Sequence, residues 1–402
     1  MKLSKSQIII ICVGVVLVIG FAAVIFSGIG IRPEQKRVNL VIWGIDNDED
    51  FAAAIKGFRD ERPEVRIKYE KFPESTYEQK LIDALAAGNG PDIFMFRSDW
   101  IRKHMNKAVP APTTIISTGR FSDLFPQVAV QDFISGSQIY ASPLFIDTLA
   151  LYYNKDVLDR RNVPLPPNTW DAFKNAVARG VTASFGGYAP LVARSGDIIN
   201  ALLMQANADL SLQNKSFVRI SGTEGASALE LYTSIKPPTV ETYTGFANGT
   251  IGMILDYESL KPTLEKLNPT PNFAIAPLPQ FNVNSPVVPA RYYGFAVSNK
   301  SLEQQTSWQF IVYATTNPSI AESYLKSSGR PPALRNLIEN YINDPALGVF
   351  ASQALTARSW NMPASEGVFA VFNEMIKSVI DDKVSISRAL SEAGTDINSL
   401  LR

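Results

Sequence analysis

Between residues 38 and 96, short apolar runs alternate with helical faces, and that order narrows the possible folds more than any other feature of the chain. Residues 38–43 (VNLVIW) form an apolar run suited to a buried strand. Phe51, Ala54, Ile55 and Phe58 then recur at the spacing of one helical face, which Pro63 ends. Val65, Ile67 and Tyr69 alternate as a half-buried strand. Tyr77, Leu81, Ala84 and Leu85 make the next helical face, closed by Gly88 and Gly90, and residues 93–96 are another buried strand. Strands alternating with helices predict a mostly parallel sheet. Ligands of such sheets bind beyond the carboxyl ends of the strands. Two of those ends are polar: Asp46-Asn47 after the first strand, and Asp99-Trp100 after the third. The acidic run at residues 46–50 begins like a calcium loop. An EF-hand then needs Gly at its sixth position and Glu at its twelfth, and the chain has Phe51 and Gly57. Acids at a helix N-terminus, favoured by the helix dipole, are the better reading.

Residues 139–158 (IYASPLFIDTLALYYNKDVL) pose a different question. An apolar run carries one carboxylate, Asp147, in its middle, continues through residues 149–153, and ends in the polar turn Asn154-Lys155-Asp156. One reading is a buried strand whose Asp accepts backbone hydrogen bonds. The other is a strand crossing between two lobes, with the Asp facing a cleft. The pattern alone favours the first. The chain's 402 residues, however, make two domains the default.

Composition excludes several classes. Lys and Arg total 38, Asp and Glu total 38, and there is no basic run, so no nucleic-acid partner is expected. The single Cys and single His rule out a disulfide within the chain and a zinc site built from Cys and His. Triad catalysis would need His104, which sits in the basic segment 102–105 and reads as a solvated side chain. No cofactor and no metal are expected.

Lys2 and Lys5 precede residues 8–26, an uncharged apolar run of 19 residues. At 1.5 Å per helical residue it spans roughly 30 Å of hydrocarbon. A secretory signal has a shorter apolar core and a small-residue cleavage site. Cys12 follows Ile11, where a lipobox needs a small residue. Residues 1–37 therefore read as an uncleaved membrane anchor and linker, with the globular part outside the cytoplasm. Secretion after signal cleavage is the alternative. Positive charge on both flanks leaves the orientation rule weak.

From Val38 onward the chain resembles the extracellular solute-binding proteins, family 1, of ABC importers, the maltose- and oligosaccharide-binding type. The segments that carry the resemblance occur in order: LVIWG, RPEVRIKYEKFP, TYEQKLIDALAAGNGPDIFMF, IYASPLFIDTLALYYNKDVL, PPNTWDAF, GFANGTIGMIL, FAIAPLPQ and YYGFAVSNKS. The resemblance implies a two-lobed α/β fold of the periplasmic-binding-protein type II kind, each lobe a mostly parallel sheet flanked by helices. Residues 38–147 and 272–325 would form lobe 1, and 148–271 and 326–402 lobe 2, with a third crossing at residues 329–332. It also implies capture of a small-molecule ligand, expected to be a mono- or oligosaccharide, and its delivery to ABC permease subunits, without catalysis. Closure would be a hinge motion favoured by contacts that only the closed state makes.

By position, Asp147 and Asp99 match the family's cleft carboxylates, and Phe96 and Trp100 fall where it places aromatics. Asp46 and Asn47, Tyr257 after the strand at 251–255, Tyr293 before Gly294, Arg194 with Ser195 in a loop, and Trp360 complete the candidates. Carboxylates accept from sugar hydroxyls and aromatic faces stack on the rings. Competing readings are a helix N-cap for Asp99, an exposed loop side chain for Arg194 and packing for Trp360. A different class of function, an anchored glycosidase using Asp99 and Asp147, lacks any feature that would divide acid from base. A membrane-anchored sensor or scaffold on the same fold is the further alternative. Turnover separates an enzyme from a receptor.

Overall fold

The computed structural model describes residues 4–26, 37–184, 195–210, 217–235, 242–270, 272–360, 362 and 365–401. Its strands run, in chain order, β1 (Val38–Gly44), β2 (Val65–Lys71), β3 (Ile93–Arg97), β4 (Ala108–Val109), β5 (Ile134–Ser135), β6 (Gln138–Ile139), β7 (Ser142–Pro143) and β8 (Asp147–Thr148). They continue as β9 (Ala150–Asn154), β10 (Ala183–Ser184), β11 (Met253–Asp256), β12 (Phe273–Pro277), β13 (Val288–Arg291), β14 (Tyr293–Ser298) and β15 (Ala357–Arg358).

The first sheet has the order β2-β1-β3-β14-β4, with β7 also on β14. β1 lies parallel to β2 and β3, as the strand–helix alternation requires. β3 is buried throughout its length, so it carries no alternation, whereas β2 buries Val65 and exposes Arg66. The second sheet has the order β10-β11-β9-β12. Only β10 and β11 are parallel there; β9 is antiparallel to both neighbours. In the first sheet β14 is likewise antiparallel to β3, β4 and β7. The sheets are mixed rather than mostly parallel. A helical crossover fixes strand direction only for β1 to β3. β9 and β14 enter their sheets from the opposite lobe, and nothing in the local pattern sets their sense.

Three short strands link the lobes and pair side by side, in the order β15-β13-β8. β8 lies between β7 of the first sheet and β9 of the second. β13 carries the chain back from β12 to β14, and β15 leads on to the helix Ser365–Ile380. The register sets Asp147 opposite Arg291 and Thr148 opposite Ala290. The segment 139–158 is thus not one strand but a succession of short ones, with Asp147 opening the linking strand β8.

Two large cores flank this junction. Leu40, Ile42, Phe94, Phe295, Trp308 and Phe310 belong to the first. Leu151, Met253, Trp170, Phe372 and Leu390 belong to the second. Thr169 starts the helix Trp170–Ala178, its Oγ1 accepting from Ala172 N, and Trp170 is core. Leu334, Leu337, Ile338, Ala351 and Ala354, placed by the sequence reading with the second lobe, pack into the first core. Gly329 explains the difference: it caps the helix Pro318–Ser328 in the left-handed region, φ 73°, and Pro331 and Pro332 prevent its continuation. The stop signal is real, but the segment that follows it packs back onto the first core.

The N-terminal helix Lys5–Phe26 is 22 residues long. Several of its side chains, including those of residues 20–26, lie outside the described set. Among the described residues no helix is long and apolar enough to cross a membrane, so the spanning anchor expected from the sequence finds no support there.

Candidate functional site

The junction of crossing strands floors a cavity of about 900 Å³. The first lobe contributes Glu74, Glu78 and Ile82 from the helix Glu74–Ala87, and Arg97, Trp100, Lys103 and His104 from the end of β3 and the turns after it. The crossings and the residues beside them contribute Phe145, Asp147, Arg291 and Tyr293, the turn after the helix Pro318–Ser328 contributes Arg330, and the second lobe contributes Tyr243, Tyr257, Ser259 and Glu366. Arg97, Tyr257, Arg291 and Glu366 also line a second cavity of about 110 Å³, together with Asp99, Asp132, Asp197 and Trp360.

Asp147 both accepts backbone hydrogen bonds and lines the cavity. Its Oδ1 accepts from Thr148 N at 2.9 Å and Glu258 N at 3.1 Å, and the residue is 2% exposed yet stands on the cavity wall. Burial, and then the charge of Asp147, push the neighbouring Glu258 carboxyl up to about 8. Trp100 reaches the same wall but offers little ring face. It is 1% exposed, stacks on Tyr77 at 6.1 Å, and has the Arg97 guanidinium 5.4 Å from its ring centre. Tyr257 and Tyr293 are similarly buried, and Tyr293 Oη donates to Glu74 Oε1 at 3.2 Å. The aromatic residues give the wall its shape, and charged side chains stand among them.

Other candidates lie elsewhere. Phe96 does not line the cavity: it is fully buried in the first core, edge-on to Trp100 and Phe133, because β3 is an interior strand. Asp46 is turned inward, where it accepts from Arg330 Nη2 at 2.8 Å and Tyr324 Oη at 2.7 Å. Asn47 is exposed and accepts from Lys71 Nζ at 2.6 Å. Asp99 faces the second cavity and accepts from Arg97 Nε at 2.6 Å. It lies inside the turn Ser98–Trp100, whose N-cap position is Arg97, so it is not the cap. Trp360 also lines the second cavity, its Nε1 donating to Asn200 Oδ1 at 2.8 Å. Arg194 falls outside the described residues.

The sequence reading missed most of the ionic wall. His104, expected to be solvated, is 7% exposed, with Nε2 2.7 Å from Glu78 Oε1. Its partner sits on a different helix, so no local spacing announced the pair. Burial works against ionisation of Glu78, but hydrogen bonds from His104 and Lys103 hold its carboxyl down at about 2. Lys103 Nζ lies 2.7 Å from Glu78 Oε1, and Arg291 Nη1 3.5 Å from Asp197 Oδ2. Arg330 packs over the Phe145 ring at 4.6 Å. Four cations of the large cavity (Arg97, Lys103, Arg291 and Arg330) therefore balance four carboxylates (Glu74, Glu78, Asp147 and Glu366). Among the described residues no cluster of His, Cys, Asp and Glu could hold a metal ion. Such a wall offers hydrogen-bond donors and acceptors from both lobes to a polar solute without net charge.

The family pattern described as bacterial extracellular solute-binding protein matches residues 53–349. A maltotriose-binding protein of Pyrococcus abyssi is 24% identical, covering 80% of this chain and 71% of its own. Among solved structures, the cyclic alpha-maltosyl-1,6-maltose binding protein of Arthrobacter globiformis aligns with a TM-score of 0.78 at 20% identity, over 91% of this chain and 99% of its own. A solute-binding protein of Thermotoga lettingae bound with alpha-D-tagatose aligns with a TM-score of 0.74 at 18% identity, over 91% and 100%. At these identities the structural likeness shows the two-lobed fold.

Proposed function

The chain belongs to the bacterial extracellular solute-binding proteins, and from that premise we propose that it captures an uncharged mono- or oligosaccharide between its lobes and delivers it to an ABC permease. The observation that carries the reading is the charge-balanced cavity of about 900 Å³, walled from both lobes at the crossing strands. A sugar presents many hydroxyls and no charge, and ion pairs on a cleft wall donate to and accept from hydroxyls without a net field. The volume suits a small oligosaccharide, in keeping with the sugars named for the relatives.

Asp147 is the carboxylate we assign to ligand hydroxyls, with Tyr257, Tyr293 and the edge of Trp100 shaping the pocket. Asp99 and Trp360 belong to the smaller cavity behind it. We place the change of lobe at β8, at β13 and at β15, so that residues 326–356 stay with lobe 1. The reading is of a receptor rather than an enzyme: Asp99 and Asp147 line separate cavities, which does not suit a glycosidase pair.

The N-terminal helix is proposed as the tether that keeps the globular part at the outer face of the membrane. Its described apolar side chains, among them Ile9, Ile10, Val16 and Leu17, are exposed, and a helix apolar all round needs lipid or protein to cover it. The chain should stay with the membrane fraction after carbonate extraction; recovery in the medium would instead mean a cleaved signal.

The test of function is a thermal-shift screen of the full-length chain against neutral sugars, uronates, amino acids, polyamines and peptides. A ligand that binds only the folded state raises Tm by mass action. A shift confined to neutral sugars supports the proposal, and a shift with another class replaces the ligand. A panel without any shift would point to a sensor or scaffold role.

A further inference from the structure

We propose that Glu366 is an internal anion, lent by the second lobe to two cations of the first, and that it makes the cleft reject anionic solutes. The inference rests on the carbohydrate reading and names the charge class that the site selects.

Arg97 ends β3, and Lys103 lies in the short helix Ile101–His104 that follows, so both belong to the first lobe. Glu366 stands in the first turn of the helix Ser365–Ile380, whose Val368 and Phe372 pack in the second core. Its Oε1 accepts from Arg97 Nη2 at 2.6 Å, and its Oε2 lies 3.6 Å from Lys103 Nζ. Each cation keeps a carboxylate of its own lobe as well: Asp99 on Arg97 Nε at 2.6 Å, and Glu78 on Lys103 at 2.7 Å. Glu366 and Arg97 line both cavities, so the pair stands on the partition between them. The Glu366 side chain is 54% exposed where that of Arg97 is 10% exposed, so the carboxylate is the more accessible partner of the pair.

A carboxylate on a solute has the same chemistry as the Glu366 side chain. On Arg97 it must compete with Glu366 and Asp99, on Lys103 with Glu366 and Glu78, and it then faces Glu74 and Asp147 as well. A neutral hydroxyl joins the existing pairs without displacing any of them. Specificity against one charge class is thereby built as a repulsive element. Glu366→Gln keeps the shape and an acceptor oxygen but removes the second carboxylate from Arg97 and Lys103, so that each is left with the single carboxylate of its own lobe and a solute carboxylate meets one competing charge fewer.

The experiment compares full-length wild type, Glu366→Gln and Glu366→Asp by calorimetric titration with a neutral malto-oligosaccharide and the uronate in which its terminal C6 is oxidised. Wild type is expected to prefer the neutral sugar. Glu366→Gln is expected to gain about tenfold or more in uronate affinity, the lower end of what a hydrogen bond to a charged group is worth, with a gain that salt erodes. Glu366→Asp, which keeps the charge on a shorter arm, is expected to go on excluding the uronate. If Glu366→Gln shows no uronate gain, or wild type already prefers the uronate, the inference is overturned whatever the neutral sugar does. Failure of the carbohydrate reading shows separately, as a neutral sugar bound by none of the three proteins.

Discussion

Asp147 carries two tasks that two substitutions separate. Asp147→Ala strands Thr148 N and Glu258 N in a buried setting, which costs roughly 1–3 kcal/mol of stability. Asp147→Asn keeps an oxygen for both donors and loses only the charge. If the carboxylate binds ligand hydroxyls, the Asn variant should melt near wild type yet bind sugar more weakly by over ~1 kcal/mol. Unchanged affinity in both variants would leave Asp147 a structural residue. Two other acids set a pH dependence. Burial pushes Asp132 up from an ordinary 3.8 to about 7, against hydrogen bonds from Ser359 and Tyr292. Glu258 rises from 4.5 to about 8. The folded chain thus holds protons that the unfolded chain has released. The stability these groups give is complete below 3.8 and 4.5, and is lost as pH rises through about 7 and about 8. Glu258→Gln should flatten the fall in denaturation free energy between pH 4.5 and about 8, and parallel curves would contradict the assignment. At this scale the sequence pointed to Asp147 because a carboxylate inside an apolar run needs partners. It did not point to Glu366, His104 or Lys103, whose partners come from distant parts of the chain.

The elements most legible in the sequence were those with a local period. β1 to β3 and the helices between them followed from apolar spacing. The first crossing was legible as a break in an apolar run, but the break at residues 329–332 misled, and pairing was not legible at all, because partners such as β8 and β13 lie far apart in the chain. Buried glutamines fix them in place. Gln353 Nε2 donates to Thr148 Oγ1 and Leu149 O, each at 3.0 Å, and its Oε1 accepts from Leu278 N at 2.9 Å, so one side chain ties two crossings together. Gln205 Nε2 likewise donates to Pro279 O and Val287 O. Gln353→Leu should cost roughly 1–3 kcal/mol through the orphaned Leu278 N–H, read as a lower denaturant midpoint. Gly294 marks where β14 passes β7: an added Cβ would run into Ser142 O and lie 2.9 Å from the Phe133 ring. Gly294→Ala should therefore destabilise by about 1–3 kcal/mol, and a midpoint equal to wild type would mean that the two strands part easily.

On the scale of the whole molecule, two cores meet at three crossing strands, and the cavity lies where the lobes face each other across them. The large cavity has as many cations as carboxylates on its wall, which is the ground for proposing an uncharged, hydroxyl-rich solute. The central claim is that such a solute binds both lobes at once. Hydrogen–deuterium exchange of the full-length chain, with and without a neutral oligosaccharide that raises its Tm, tests this most directly. The account predicts slowed exchange together in residues 74–82 and 97–104 of the first lobe, in 257–259 of the second, and in the crossing at 288–293. A sugar that raises Tm while leaving these segments unchanged, or protecting one lobe alone, would contradict it.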